Sequence, residues 1–248
     1  MFLAALMVFV SIFNKDFFTL GNFKNLLRSS FPLLMAALGQ TLIILTGGID
    51  LSLGGIVALC NVVCVMSMNP DSAWGFVPAL GAAAAVGLAC GAVNGVLVTK
   101  GRLAPIIVTI ATTAVFDGMA LLLMPNPGGS VHKAFAKFLT RGYSGAVPFL
   151  LFILILCLVR SLANSTPYGK ALRAIGGSEN AAYSTGIRVG KIKFCAYCLA
   201  GLLCAVAGIF LSAQMNSADA TIGKNYAMNA ITATVVGGTA MTGAVGDP

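Results

Sequence analysis

The sequence predicts an all-α protein, a polytopic bundle of transmembrane helices with glycine-interrupted segments, and three observations support this fold class. Of the 248 residues, 58% are hydrophobic and only 9% are charged, which excludes an ordinary soluble domain. Long uncharged segments recur along the chain, and most approach the roughly 20 residues that cross a bilayer as a helix. These segments lack the alternation of polar and apolar side chains that is typical of a transmembrane β-barrel.

The uncharged segments predict the membrane spans in chain order. They cover residues 29–49, 51–70, 72–99, 103–116, 142–159, 194–218 and 225–246. We treat residues 1–248 as one transmembrane domain. The chain opens directly into the apolar segment MFLAALMVFVSIF and stops at Pro248 without a polar tail. We therefore expect a clipped first span and further helices beyond Pro248.

Small residues predict close helix packing. Gly87, Gly91 and Gly95 follow at four-residue spacing in the span 72–99, and Ala200, Cys204 and Gly208 repeat the pattern in the span 194–218. Such a stripe lets another helix backbone approach closely within a membrane. We expect contacts inside the bundle rather than a dimerisation surface.

The distribution of basic residues predicts the orientation. The densest cluster contains one acid, Glu179, among six basic residues: Arg160, Lys170, Arg173, Arg188, Lys191 and Lys193. Lysine and arginine are enriched in cytoplasmic loops, so this connection is predicted to be cytoplasmic and the loop 125–145 external. Basic residues occur on both predicted faces without interleaved aromatics, which argues against nucleic-acid binding.

The segment ILTGGIDLSLGGI, residues 43–55, places Asp50 within an otherwise apolar stretch. An acid at membrane depth is costly unless it faces the bundle interior, caps a helix or lines a water path. The glycines can end one helix, and Asp50 with Ser52 can cap the next. Two interpretations stay open: a capped hairpin turn, or a discontinuous span beside a translocation path. The second would involve Gln40, Thr46, Gly47, Gly48, Asp50, Ser52 and Asn94.

A second glycine interruption occurs near the end of the chain. In ATVVGGTAMTGAVGD the pair Gly237 and Gly238 is followed by threonines and Asp247. Glycine-interrupted apolar segments in both halves of a transporter point to its substrate path. Gly237 and Gly238 are therefore further candidates for that path.

The cytoplasmic connection, about residues 165–193, carries signals for two short helices. Thr166 followed by Pro167 predicts the start of one helix, and the glycines 176–177 predict its end. Ser178 and Gly186 can cap and close a second helix over SENAAYSTG. We expect its Ala181–Ala182 face either to dock into a groove of a partner or to rest on lipid.

Cysteine and histidine indicate no metal or catalytic centre. The seven cysteines lie in apolar segments, where thiols behave as small hydrophobes. Cys195 and Cys198 match CxxC but have no second ligand pair, and His132 is expected to be a solvated loop residue. An intramembrane enzyme lacks support, because the HExxH and GxSxG motifs are missing from the sequence.

Four segments together resemble the permease subunits of bacterial ABC importers of the ribose, xylose and galactose branch. They are GQTLIILTGGIDLSLGGIVAL, GVLVTKGRLAPIIVT, TPYGKALRAIGGSENAAYSTGI and NAITATVVGGTAMTGAVG, in this order along the chain. The resemblance implies a homodimeric channel in the bacterial cell membrane, surrounded by lipid. It also implies an extracytoplasmic sugar-binding protein and a cytoplasmic ATPase that binds ATP and Mg²⁺, so that this chain itself holds no cofactor and has no catalysis.

The resemblance further implies that the second short helix and its flanks couple the permease to the ATPase. The coupling residues would be Gly176, Gly177, Ser178, Glu179, Asn180, Ala181, Ala182, Gly186 and Ile187. Relatives commonly carry an acid directly before the alanine pair, where this chain has Asn180. Relatives often have a basic residue where this chain has Asp117, which could cap a helix end, pair with a basic residue or contact the path.

The alternative function is an ion-coupled secondary transporter of a small polar solute, in which Asp50 or Asp117 carries a proton or sodium ion. The scarcity of intramembrane charge argues against it. It also leaves the elaborate cytoplasmic connection unexplained.

Overall fold

The computed structural model describes residues 2–13 and 16–247, so the expectations about Met1 and Pro248 fall outside the described residues. Most of the described residues are helical. The helices are α1 (Phe2–Phe13), α2 (Leu20–Ile44), α3 (Leu53–Met66), α4 (Phe76–Thr99), α5 (Pro105–Leu123), α6 (Lys133–Ser165), α7 (Pro167–Gly177), α8 (Glu179–Ser184), α9 (Val189–Met215) and α10 (Tyr226–Val236). The all-α prediction is confirmed.

Among the described residues, five helices are long and apolar enough to cross a membrane. They are Leu20–Ile44, Phe76–Thr99, Pro105–Leu123, Gly145–Ser165 and Val189–Met215. At 1.5 Å per residue each reaches the roughly 30 Å of a bilayer core. The chain is thus a multi-pass membrane protein.

Helix α9 forms the centre of the bundle and packs against α2, α3 and α4. A Cβ atom at Gly87 would lie 2.4 Å from the carbonyl oxygen of Gly201, and one at Gly91 would lie 2.3 Å from that of Tyr197. The α4 and α9 backbones therefore touch, which confirms the predicted internal contact. On another side of α9, the rings of Phe31 and Phe210 stack with centroids 4.3 Å apart.

Helices α3 and α10 are shorter than predicted. With 14 and 11 residues they span about 21 and 17 Å, so neither crosses the bilayer alone. Helix α10 begins at Tyr226 as predicted but ends at Val236, where Gly237 and Gly238 follow, and α3 ends at Met66. The connection 216–225 packs along α3. Ala218 exchanges two backbone hydrogen bonds with Gly128 at 2.8 and 3.0 Å, and a Cβ at Gly223 would lie 2.0 Å from the carbonyl oxygen of Gly54. The chain folds back along α3 before α10 begins.

Asp117 lies in the interior of α5 (Pro105–Leu123), which continues past the end of the uncharged segment 103–116. Its carboxylate faces α3, where a Cβ added at Gly55 would lie 3.1 Å from Oδ1. A helix-end cap is therefore excluded. Lys224 is near enough to interact electrostatically with this carboxylate.

Candidate functional site

The break between α2 and α3 covers residues 45–52. Helix α2 ends at Ile44, and Thr46 Oγ1 donates a hydrogen bond to Ile43 O at 2.7 Å. Gly47 follows with φ +76°, a left-handed conformation that glycine adopts without steric cost. The glycine pair therefore ends the helix, as the sequence predicted.

Asp50 lies at the centre of a buried polar network, with only 1% of its surface exposed. Its Oδ1 accepts hydrogen bonds from Ser52 N and from Ser52 Oγ, both at 2.7 Å. Asn94 Nδ2, from α4, donates to Ser52 Oγ at 2.7 Å. The carboxylate thus holds the backbone N–H that precedes α3, while the Ser52 hydroxyl makes no capping bond to the helix.

Two further groups hold the backbone of the break. With the Gln40 amide turned so that both its groups are satisfied, its nitrogen donates to Asp50 O at 3.1 Å and its oxygen accepts from Asp50 N at 3.3 Å. Thr109 Oγ1, from α5, lies 3.4 Å from Ile49 O, although its nearest acceptor is Pro105 O at 2.9 Å. Of the predicted polar neighbours, Gln40 and Asn94 join the network, whereas Thr46 bonds within its own turn.

The connection 165–193 contains the predicted coupling residues and is called the coupling segment below. It has the two capped helices that the sequence predicted. Thr166 Oγ1 accepts from Gly169 N at 3.2 Å at the start of α7, and Ser178 Oγ accepts from Ala181 N at 3.3 Å at the start of α8. Gly186 follows α8 with φ +83°. Gly177, the last residue of α7, is exposed.

The two alanines of α8 do not share an exposed face. Ala181 is exposed, but Ala182 is only 3% exposed and packs with Ile175 and Val189, against which Ile187 is half-buried. Side chains of adjacent helix residues point about 100° apart, so Ala181 points away from the interior when Ala182 points into it. The predicted flat face of both alanines is wrong, and the outward surface of α8 consists of Glu179, Asn180, Ala181, Tyr183 and Ser184.

The acid of α8 pairs within the chain. Lys193 Nζ, at the start of α9, lies 2.5 Å from Glu179 Oε2, with 15% and 57% of the two side chains exposed. Sequence reasoning missed Lys193, because a pairing across fourteen residues and a turn leaves no periodic signal.

The coupling segment contacts the break directly. A Cβ at Gly176 would lie 2.2 Å from Leu45 O and 2.5 Å from Ala244 N. Ala244 N itself donates to Leu45 O at 3.3 Å, and a Cβ at Gly243 would lie 3.0 Å from Gly47 N. Three segments that are distant in sequence therefore meet backbone to backbone.

The glycine pair near the end of the chain stands apart from this contact. Gly237 and Gly238 end α10, the latter with φ +98°, and a Cβ at Gly238 would meet no atom within 4 Å. The segment that follows them, 239–246, supplies the residues that touch the break. Arg173 Nη2 holds this segment by donating to Gly246 O at 2.9 Å.

Tyr197 of α9 is the other residue that sequence reasoning missed. It is 2% exposed, and its hydroxyl lies 3.4 Å from the position of a Cβ added at Gly48. The hydroxyl has no hydrogen-bond partner among the described residues. A single tyrosine in an apolar helix gives no sequence signal, since core packing explains it equally well.

Comparisons with known proteins find relatives over nearly the whole chain. Residues 22–246 match the family described as the permease component of branched-chain amino acid transport systems. The ribose import permease protein RbsC of Bacillus subtilis is 39% identical, over 97% of this chain and 76% of that protein. RbsC of Escherichia coli K12 is 34% identical (98% and 77%), and the fructose import permease protein FruF of Bifidobacterium longum is 32% identical (96% and 71%).

No solved structure matches the chain significantly. The family match covers most of the chain, and the relatives are similar over nearly all of it. The chain therefore belongs to the permease family of the ABC importers, as a multi-pass protein of the bacterial cell membrane.

Proposed function

We propose that this permease carries a monosaccharide such as ribose into the cytoplasm. Two of the relatives named above are ribose import permeases and the third is a fructose import permease. Membership of an ABC importer family implies a partner ATPase and a substrate-binding protein. In this proposal the binding protein is extracytoplasmic and delivers the sugar, and the ATPase alone binds ATP and Mg²⁺.

The observation that carries the proposal is the contact between Gly176 and Leu45. Helix α7 belongs to the coupling segment, and Leu45 opens the α2–α3 break. A Cβ at Gly176 would clash with the Leu45 carbonyl at 2.2 Å, so the two backbones are already at contact distance. A displacement of the coupling segment by the ATPase must therefore reach the break directly.

The chemistry of the break suits a neutral polyol. A sugar offers hydroxyl groups, so its route needs backbone and side-chain dipoles more than net charge. A broken helix supplies backbone dipoles and polar side chains. The backbone groups that the break frees are tolerated because protein, rather than lipid, surrounds them. Asp50 is already held by Ser52, which leaves the turn 45–49 and its glycines to face the path.

The outward face of α8 is the docking surface for the ATPase in this proposal. It is uncharged apart from Glu179, which Lys193 pairs, and Tyr183 is its largest exposed side chain. A second permease copy and lipid would cover the exposed apolar side chains of α5 and α6, among them Ile107, Leu122, Leu150 and Leu158. No observation favours the ion-coupled alternative, and the family match argues against it.

The test is uptake of radiolabelled D-ribose by proteoliposomes that contain this permease together with its ATPase and its binding protein. ATP-dependent uptake that unlabelled ribose abolishes is the expected result. No uptake of ribose by a complex that hydrolyses ATP would refute the assigned substrate.

Gly176→Ala tests the coupling contact, with Gly177→Ala as its matched control. The first adds a methyl group 2.2 Å from Leu45 O, and the second meets only Ala244 Cβ at 3.7 Å. We expect Gly176→Ala to lower uptake per ATP hydrolysed by about tenfold, within the range of typical coupling free energies. Equal coupling in both variants would refute this role of the contact.

A further inference from the structure

A cavity of about 330 Å³ lies between the α2–α3 break and the coupling segment. Thr46, Gly47 and Gly48 form one wall, Gly176 and Glu179 form another, and Tyr197 and Thr242 complete the polar lining. Its volume falls in the range of about 300–1,000 Å³ that is typical of small-molecule sites. Its lining includes part of the turn 45–49, which faces the path in the proposed function, but that proposal assigns no sugar-binding site to the cavity.

The Tyr197 hydroxyl is an unsatisfied polar group at the cavity wall. It is buried, has no protein partner among residues 2–13 and 16–247, and lies beside Gly48, which lines the cavity. A buried hydroxyl without a partner is costly, and it is usually satisfied by water or by a ligand. The hydroxyl is not exposed in this structure, so an occupant reaches it only when Gly48, which lies beside it and has no side chain, is displaced.

The remaining lining groups match sugar hydroxyls. Thr46 Oγ1 donates its own proton to Ile43 O and so presents an acceptor, and Thr242 adds an exposed hydroxyl. Glu179 supplies acceptors and Lys193 supplies donors at the edge of the cavity. Each hydroxyl of a sugar donates one hydrogen bond and accepts others, which requires such a mixed set.

We propose that this cavity is a cytoplasmic-side binding site for a monosaccharide, closed at its edge by the Glu179–Lys193 ion pair. The inference rests on the proposed function, since it takes the transported sugar as the ligand. Glu179 belongs to α8, within the coupling segment, whereas Lys193 and Tyr197 belong to α9. Movement of α8 therefore separates the pair and opens the site in the step that releases sugar.

The test measures whether D-ribose protects the cavity from a thiol reagent. Thr242→Cys is introduced after the seven native cysteines have been replaced, and the assembled complex in nanodiscs is treated with a membrane-impermeant maleimide without the binding protein. Millimolar D-ribose should slow the labelling. An equal concentration of the osmolyte glycine betaine should not. Glycine betaine controls for osmotic effects because it has no hydroxyl group.

Two sets of variants identify the groups involved. Tyr197→Phe should raise the half-protecting ribose concentration about fivefold, as expected for one neutral hydrogen bond, without lowering thermal stability, because the deleted hydroxyl is unpaired. Tyr226→Phe, at the half-buried start of α10, is the control and should change neither quantity. Glu179→Gln and Lys193→Gln should each speed the labelling in the absence of sugar.

Absence of ribose protection would overturn the cavity site. Equal protection in Tyr197→Phe and Tyr226→Phe would also overturn it, because the effect would then arise elsewhere. Uptake by the proteoliposomes distinguishes failure of the cavity site from failure of the proposed function. If the complex imports ribose but ribose does not protect residue 242 from labelling, the cavity site is refuted and the proposed function is not.

Discussion

Replacing Asp50 by leucine tests whether the buried carboxylate holds the α2–α3 break together. Leucine removes the acceptor for Ser52 N and Ser52 Oγ, both at 2.7 Å from Oδ1. The serine hydroxyl can turn toward another acceptor, but the backbone N–H cannot. Because the site is 1% exposed, water cannot replace the lost partner without a rearrangement.

The expected loss of stability can be worked from these contacts. A hydrogen bond to a charged group contributes about 1.5–3 kcal/mol, and a buried unpaired N–H costs about 1–3 kcal/mol. A branched side chain in a filled site adds about 1–3 kcal/mol of strain. Removal of a buried charge is favourable and offsets part of these three losses. Asp50→Leu should therefore lower the free energy of unfolding by about 3–5 kcal/mol.

Asparagine separates shape from charge. Its Oδ1 can still accept from Ser52 N, and neutral hydrogen bonds are about half as strong as charged ones. Asp50→Asn should therefore lower the free energy of unfolding by about 1–2 kcal/mol and retain much of the sugar transport. Asp71→Leu, in the exposed loop between α3 and α4, is the control and should leave stability unchanged.

The assay combines detergent unfolding in bicelles with sugar uptake by proteoliposomes. If the Asp50→Leu variant is as stable as the wild type, the structural role of the carboxylate is refuted. A well-assembled Asp50→Asn complex that transports no sugar would instead indicate ion chemistry at this position.

Two further predictions concern packing and docking. Gly91→Ala places a methyl group 2.3 Å from Tyr197 O and should abolish assembly as seen by size-exclusion chromatography, whereas Gly81→Ala in the same helix meets nothing within 4 Å and should assemble normally. Ala181→Glu, on the outward face of α8, should leave the permease folded but weaken capture of the ATPase in a pull-down. Ala182→Glu should destabilise the permease itself, because it buries a carboxylate beside Ile175 and Val189; the reverse order of the two effects would contradict the packing of α8.

Several features of this chain follow from sequence alone because their causes are local. Thr166 and Ser178 each bond a backbone N–H three residues onward, and Gly47 and Gly186 adopt backbone angles that a side chain disfavours. These interactions form within a single turn, so their residue spacing is visible in the sequence. The bundle of apolar helices likewise follows from the composition.

The tertiary structure decided what depends on contacts between distant segments. Hydropathy reports transfer from water to an apolar medium and does not distinguish lipid from packed protein, so it could not show that α3 and α10 are too short to span. It could not show that Gly176 touches Leu45, that Ala182 faces inward or that Glu179 pairs with Lys193. Each of these contacts depends on how helices cross in three dimensions, and a small residue at a crossing looks in the sequence like a small residue anywhere else.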